Sequence, residues 1–577
     1  MHPATFCRFV LFFCFVASPP LAFGENKTGF LVLAPDRGFL GNQEVRAVVN
    51  EFQAIYPAAL ALIGQGYTGV DSEYSAYFTR AIKDLQQAGA TELVVIPMFL
   101  SETDPLLMKA RATLPVYAQG IAVRWAPAMI DRYLISQIVL DRVQAVSQQP
   151  ETERLILVGM GATDEATERS LKSDIEKLLA YVHRYVRFSE THAIVYYDRH
   201  AKDAETKNEE ANRQVLGQVA RQGRTLIVPA FIGPKFDQSM ALTTWLGKRF
   251  KPLNVAYQPT ELLPHPNVLV WLKQTANRYW AAQPSEIGVV IMPHGSTQPW
   301  NDAVEHVIKP LMTKYRIEMA YGMGDPGIIQ AAVSRLEQEG IKRIVFVRMY
   351  ALSHQMKEKT DYMLGLSEQP GPHAGHDGIP PVQIRSAALF STFGGYEEFP
   401  EIANVLCERI TEISSTPSTE TVILAAHGEK GDEGNKTWLS VMNRNIERMK
   451  ANPRCNGFKA IHAATVREDW PELREKAVAG VRKLIEESGR NGRVLVIANR
   501  LYGSGPYQSM FEGLEFQMNS KGLAHPVIRQ WLEAGIQHTI TALLEQGVAP
   551  QARDVFTQEA AGNGLQKASP GQPCSGR

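Results

Sequence analysis

The chain carries no excess of charge of either sign: 60 lysines and arginines balance 60 aspartates and glutamates over 577 residues. A neutral surface supplies no field to hold a polyanion, so nucleic acid is not an expected partner. Cysteine is scarce as well, with five in all, of which only Cys407, Cys455 and Cys574 lie beyond the first two dozen residues. An odd, sparse set excludes a disulfide framework and leaves room for one pair, and its spacing fits no zinc-binding pattern. Past residue 24 no apolar run is long enough for a transmembrane helix.

The N-terminus does hold an apolar run. Arg8 precedes the stretch 9–17, and the small residues Ala22 and Gly24 flank Phe23 just before the polar Glu25. A basic start, a short apolar stretch and small residues at cleavage spacing predict a secretory signal peptide over 1–24, with a periplasmic or secreted product and no stable membrane insertion after cleavage. An uncleaved anchor is the alternative, opposed by Pro19-Pro20, which ends the run early. Phe13 before Cys14 is too large for a lipoprotein signal.

Repetition reveals the architecture. Apolar runs at 30–34, 155–158, 288–292 and 422–426 each lead into helical patterning and then a second run, at 93–96, 226–228, 344–347 and 494–498. Helical segments at 77–87, 212–221, 328–338 and 473–487 precede those second runs. Helices between buried strands imply right-handed crossovers and parallel sheets covered on both faces. A third marker closes the units: Leu263-Pro264-His265-Pro266, Phe399-Pro400 and Leu523-Ala524-His525-Pro526 each enter a helix. His265 and His525 belong to that helix-entry pattern and read as turn residues rather than ligands. The period is roughly 130 residues, the size of a domain rather than a solenoid repeat. The expected fold class is therefore α/β, with four doubly wound parallel-sheet domains at 25–150, 151–283, 284–418 and 419–550 and a disordered tail at 551–577. Residues 281–286 read as the linker between two halves.

The residues suited to chemistry gather in the third domain. His294-Gly295-Ser296 follows its first apolar run, and His427-Gly428 follows the corresponding run of the fourth. An imidazole where a buried strand opens into a glycine turn has rigid support from which to reach a ligand. His354 follows the third domain's second run, so it and His294 end two strands of one sheet, where parallel sheets form their ligand crevice. Two histidines with open positions make a partial site for a borderline divalent metal. The loop 371–378 adds His373, His376 and Asp377, but its glycines preorganise no geometry, and an exposed polar loop is the better reading.

This pattern resembles the sirohydrochlorin cobaltochelatase family, class II chelatases that insert a metal into a tetrapyrrole. The resemblance spans about residues 30 to 545 as two tandem pairs. It implies that His294 and His354 hold the metal and accept pyrrole protons, that Ser296 binds the tetrapyrrole beside them while His427 and Tyr507 reach it from the facing domain, and that no organic cofactor is needed. Cobalt is the first expectation, with nickel, iron and zinc open.

The first two domains keep neither histidine. Their turns read Pro35-Asp36-Arg37-Gly38 and Gly159-Met160-Gly161-Ala162, which implies a degenerate pair with a structural or non-catalytic binding role. The family's acidic position falls near Gly322, leaving Asp325 as the nearest carboxylate. Losing an acid weakens the enzymatic reading, because metal insertion needs a base for the departing protons. The alternative is a non-catalytic periplasmic carrier of metal or tetrapyrrole on the same scaffold.

Overall fold

The computed structural model describes residues 28–65, 74–253, 255–371 and 378–545. The expected signal peptide and tail lie outside them, as do His373, His376 and Asp377. Four sheets of four strands follow one another along the chain, and in each the spatial order is second, first, third, fourth strand. Every pairing is parallel. The architecture is α/β with four doubly wound parallel-sheet domains, as the apolar runs predicted.

That order explains which strands stand out as apolar runs. The first and third strands of each domain are central and covered on both faces, so Ile287–Pro293 and Arg343–Met349 are buried along their whole lengths. Central parallel strands read as continuous apolar segments. Several edge strands are short and only partly covered, as in Ala122–Trp125, Ala256–Tyr257 and Ile317–Met319, and their mixed composition hides them.

Alternate residues of the central strands serve opposite faces. In the third domain Val290, Met292, Ile344 and Phe346 pack with Ile329, Val333 and Leu336 of the helix Pro326–Gln338. Val289, Ile291, Val345 and Val347 point the other way, into a core that continues through Val422, Leu424, Leu495 and Ile497 of the fourth domain. The third and fourth domains thus share one apolar core. At roughly 25 cal/mol per Å² of apolar surface removed from water, this shared burial is what holds the two together.

The chain divides into two compact units. One ends at Leu269, and the other runs on from Val270 and also takes in Ala180–Arg187. The division falls inside the helix Pro266–Tyr279. The segment 281–286 ends in a short 3-10 turn, Pro284–Glu286, and Trp280 Nε1 donates to Glu286 Oε2 at 3.1 Å across it. Pro266 and Pro526 each occupy the first position of a helix. His265 Nδ1 accepts from Asn267 N at 3.1 Å, and His525 Nδ1 from Val527 N at 3.2 Å, so both imidazoles cap helix entries. Among the described cysteines, Cys407 and Cys455 form a disulfide that ties the third domain's last helix, Ile402–Thr411, to the fourth domain.

The junction of the third and fourth domains is closed by Glu397, in the 3-10 turn Tyr396–Glu398. It is fully buried. Its Oε2 accepts from Trp438 Nε1 at 3.1 Å and from Asn499 Nδ2 at 2.9 Å, both from the fourth domain, and its carbonyl accepts from Asn445 Nδ2 at 2.9 Å. Burial pushes this carboxyl up to about 8, against the smaller downward pull of the Trp438 and Asn499 hydrogen bonds. At neutral pH it is mostly protonated.

A carboxyl raised in the folded state makes stability fall as pH climbs from the ordinary carboxylate range to the raised value. Glu397→Gln stays neutral throughout. We expect chemical unfolding of wild type and variant to coincide near about pH 4 and to separate progressively from about pH 5, the variant gaining on the order of a few kcal/mol by about pH 8 and no more above it. Parallel stability curves across that range would contradict the buried, protonated assignment.

Candidate functional site

His294 follows directly on the buried strand Ile287–Pro293, whose last residue pairs in register with Met349 of the neighbouring strand. His354 lies five residues past Met349, so the two histidines leave adjacent strands of one sheet. They do not share a partner. His294 is exposed, with Nδ1 2.7 Å from Gly295 O and its ring beside Trp300 and Tyr350, 6.5 and 6.3 Å between centroids. Gly295 sits at φ 74°, a left-handed conformation that a side chain would strain. Asn301 Oδ1 accepts from Ser296 N at 3.0 Å and closes the turn, leaving the Ser296 side chain exposed.

The loop carrying His354 is held from below. Arg348, at 0% exposure in the central strand, donates through Nη1 to Thr392 Oγ1 at 2.8 Å and through Nη2 to Ser353 O at 3.0 Å. Ser353 N in turn donates to Glu398 Oε1 at 2.9 Å. The loop passes so close to Gly395 that a β-carbon there would lie 2.7 Å from Ser353 N. Met356 adopts φ 60° and starts the helix Lys357–Met363, which turns the chain sharply after His354.

His354 reaches the fourth domain. Its Nε2 lies 2.9 Å from Glu429 Oε1, which also accepts from Gln355 Nε2 at 3.0 Å. Glu429 belongs to the turn after His427, and that turn is clamped by Arg467, whose Nε donates to Glu429 O at 2.7 Å and whose guanidinium also binds Lys430 O and Asp432. Asn435 Oδ1 accepts from Glu429 N at 3.2 Å, the same device Asn301 provides in the third domain. Burial pushes Glu429 up, but its hydrogen bond with His354, the imidazole's charge and the Gln355 hydrogen bond outweigh it and hold the carboxyl below its ordinary value. The same hydrogen bond raises His354 above the usual imidazole range, with burial opposing and the charges of Glu429 and Glu398 assisting.

His427 occupies the fourth domain's turn with Nδ1 2.8 Å from Gly428 O and Nε2 3.1 Å from Asp469 Oδ2. Its ring lies between Trp438 and Trp470. Tyr507 is placed in the core: fully buried, stacked on Phe511 and under the Arg500 guanidinium. Its ring is packing rather than cleft lining, and the exposed tyrosine of this loop is Tyr502. Asp325 caps the helix Pro326–Gln338, accepting from Ile328 N at 2.9 Å. Among the described residues no three His, Cys, Asp or Glu side chains form a metal-holding group.

In the first unit the corresponding turn carries Arg37, which is buried and points inward. Its guanidinium meets Glu44 at 2.9 Å and Glu261 at 3.0 Å, and Nε donates to Gly233 O at 2.8 Å, so it joins the first domain to the second.

Glu429 and Arg348 were not singled out in the sequence. Arg348 interrupts an apolar strand and was visible as an anomaly. Glu429 looks like any solvated residue after a histidine turn, and nothing local points to its partner 75 residues away.

No protein-family model matches the chain, and no curated protein does. Among solved structures, SirB from Bacillus subtilis with Fe3+ is 16% identical with a TM-score of 0.33, covering 43% of this chain and 96% of SirB.

The His354–Glu429 pair gives a pH prediction. An imidazole raised by an acidic partner contributes stability below its ordinary value, and that contribution disappears as pH rises through the raised one. At 46% exposure of the His354 side chain, solvent screens most of the gain. Proton NMR of the His354 ring should show its titration midpoint falling in Glu429→Gln; an unmoved midpoint would break the pair.

Proposed function

We propose that the second compact unit handles a divalent metal and a tetrapyrrole in the manner of a chelatase, with the metal as substrate. The observation that carries this reading is the meeting of His354 with Glu429 from the facing domain, while His294 heads the adjacent strand end. Imidazole nitrogens and a carboxylate oxygen suit borderline divalent ions, cobalt or nickel first, with iron or zinc acceptable to the same donors. The tetrapyrrole rests on the motif resemblance of His294-Gly295-Ser296 and His354.

In this mechanism His294 and His354 present the ion and Glu429 holds His354 in place. Metal insertion releases two pyrrole protons, and once the ion has passed to the macrocycle the freed imidazoles of His294 and His354 can take one each. Ser296 and His427, at the heads of the two opposed turns, supply polar contacts that orient the macrocycle. The first unit acts structurally, since its turn is occupied by the Arg37 joint.

A carrier of metal or tetrapyrrole is the second reading. It is favoured by the lack, among the described residues, of a three-donor group. Sirohydrochlorin with cobalt distinguishes the two: accelerated metallation supports the enzyme, and stoichiometric binding without turnover supports the carrier. By calorimetry, His294→Ala and His354→Ala should each weaken cobalt or nickel binding sharply while metal-free stability stays within about 1 kcal/mol. His265→Ala should leave metal binding intact. Equal binding by wild type and both site variants would remove the metal reading.

Export belongs to the same proposal. A Cys407–Cys455 pair fits an oxidising compartment. Intact mass spectrometry of protein from its native compartment should show a chain lacking the first 24 or so residues, with that disulfide closed. A full-length, fully reduced chain would overturn it.

A further inference from the structure

A cavity of about 920 Å³ opens in the second unit between its two domains. One wall is the end of the helix Gln298–Ile308 and the 3-10 segment Lys309–Thr313. The other is built by the fourth domain's loop 502–504, by Ser520 and Lys521, and by the entry of the helix Pro526–Glu545. None of His294, Ser296, His354, His427 or Glu429 lines it.

Its charge is one-sided. Lys309, Arg409, Lys521 and Arg529 line the cavity together with His306 and His525, and no aspartate or glutamate does. In a chain with equal numbers of acids and bases, four cations and two imidazoles around one concavity is a local concentration of charge, and low-dielectric walls strengthen its field.

Five of these groups divide into two sets. Arg409 donates to Gly522 O at 2.9 Å and pairs with Glu412 at 2.9 Å, Lys521 pairs with the same carboxylate at 2.9 Å, and His525 faces Glu408 at 3.3 Å. These three are anchored from behind and fix the wall. Lys309 and Arg529 have no ion pair among the described residues, and the Arg529 charge opposes protonation of nearby Lys314. The N-terminus of the twenty-residue helix Pro526–Glu545 adds its positive end on the same side.

We propose that this cavity binds a small molecule carrying two or more carboxylate or phosphate groups. Lys309 and Arg529 supply the charges that are uncommitted in the folded protein, from opposite domains, so the ligand bridges the third and fourth domains. The site is separate from the metal reading, uses none of its residues, and stands or falls independently of it.

Calorimetric titration of the full chain at low salt tests this, with citrate and pyrophosphate as probes and acetate as the singly charged control. Saturable binding of citrate, pyrophosphate or both is expected, weakening as salt rises, with acetate at least roughly tenfold weaker. Citrate alone would identify a polycarboxylate, pyrophosphate alone a phosphate, and both the shared chemistry. Lys309→Ala with Arg529→Ala should weaken binding by roughly tenfold or more with an unchanged unfolding midpoint. If that double variant does not fold, the single variants Lys309→Gln and Arg529→Gln carry the same test, each expected to weaken binding. Lys314→Ala, outside the lining, should leave affinity within about twofold. The proposal is overturned if neither polyanion binds saturably, if binding survives loss of Lys309 and Arg529, or if Lys314→Ala weakens it as much.

Discussion

One buried carboxyl group, that of Glu397, is where the third domain becomes inseparable from the fourth. It ends the third domain's last strand region and takes hydrogen bonds from a tryptophan and an asparagine of its neighbour. Its backbone is held as well, through Asn445 and through Ala351. Ala351 lies in the segment leading to His354, so the same turn that closes the junction also steadies the loop bearing the histidine. The apolar core common to both domains supplies the cohesion, and Glu397 supplies the register at which they meet. A neutral, hydrogen-bonded acid can do this in the interior where a charged one would be expelled.

The site depends on that register because its two halves come from different domains. Arg348 and Glu398 hold the His354 loop from the third domain, and Arg467 and Asn435 hold the Glu429 turn from the fourth. Each clamp grips backbone carbonyls or amides, which fixes position without consuming the functional side chains. The pairing of His354 with Glu429 follows from two locally rigid turns brought face to face.

Periodicity made the fold legible. The central strands at 287–293, 343–349, 420–426 and 493–498 are buried on both faces and stand out as apolar runs. Edge strands such as Gln517–Asn519, three residues long, and Ala460–Thr465, only partly covered, do not. His294 and His427 were legible as turn heads because glycine must follow them in a left-handed conformation. The family resemblance implied a tetrapyrrole contact for Tyr507, but it begins a four-residue helix and packs on Phe511. Glu429 was hidden because a contact between domains leaves no trace in local spacing; Arg348 stood out, but a charged residue in a buried strand announces only that it has a partner, not which.

Arg37 locks the turn of the first domain against the second. Its guanidinium is the counter-charge of Glu261, a carboxyl that burial lifts and Arg37 pulls back down, to about 7. Removing one partner of a buried pair leaves the other stranded, at roughly 3–5 kcal/mol. A histidine introduced at this position would therefore have to be accompanied by changes at Glu261 and Glu44 before the turn could face outward. The first domain's turn is a keystone, and opening it takes several simultaneous substitutions rather than one.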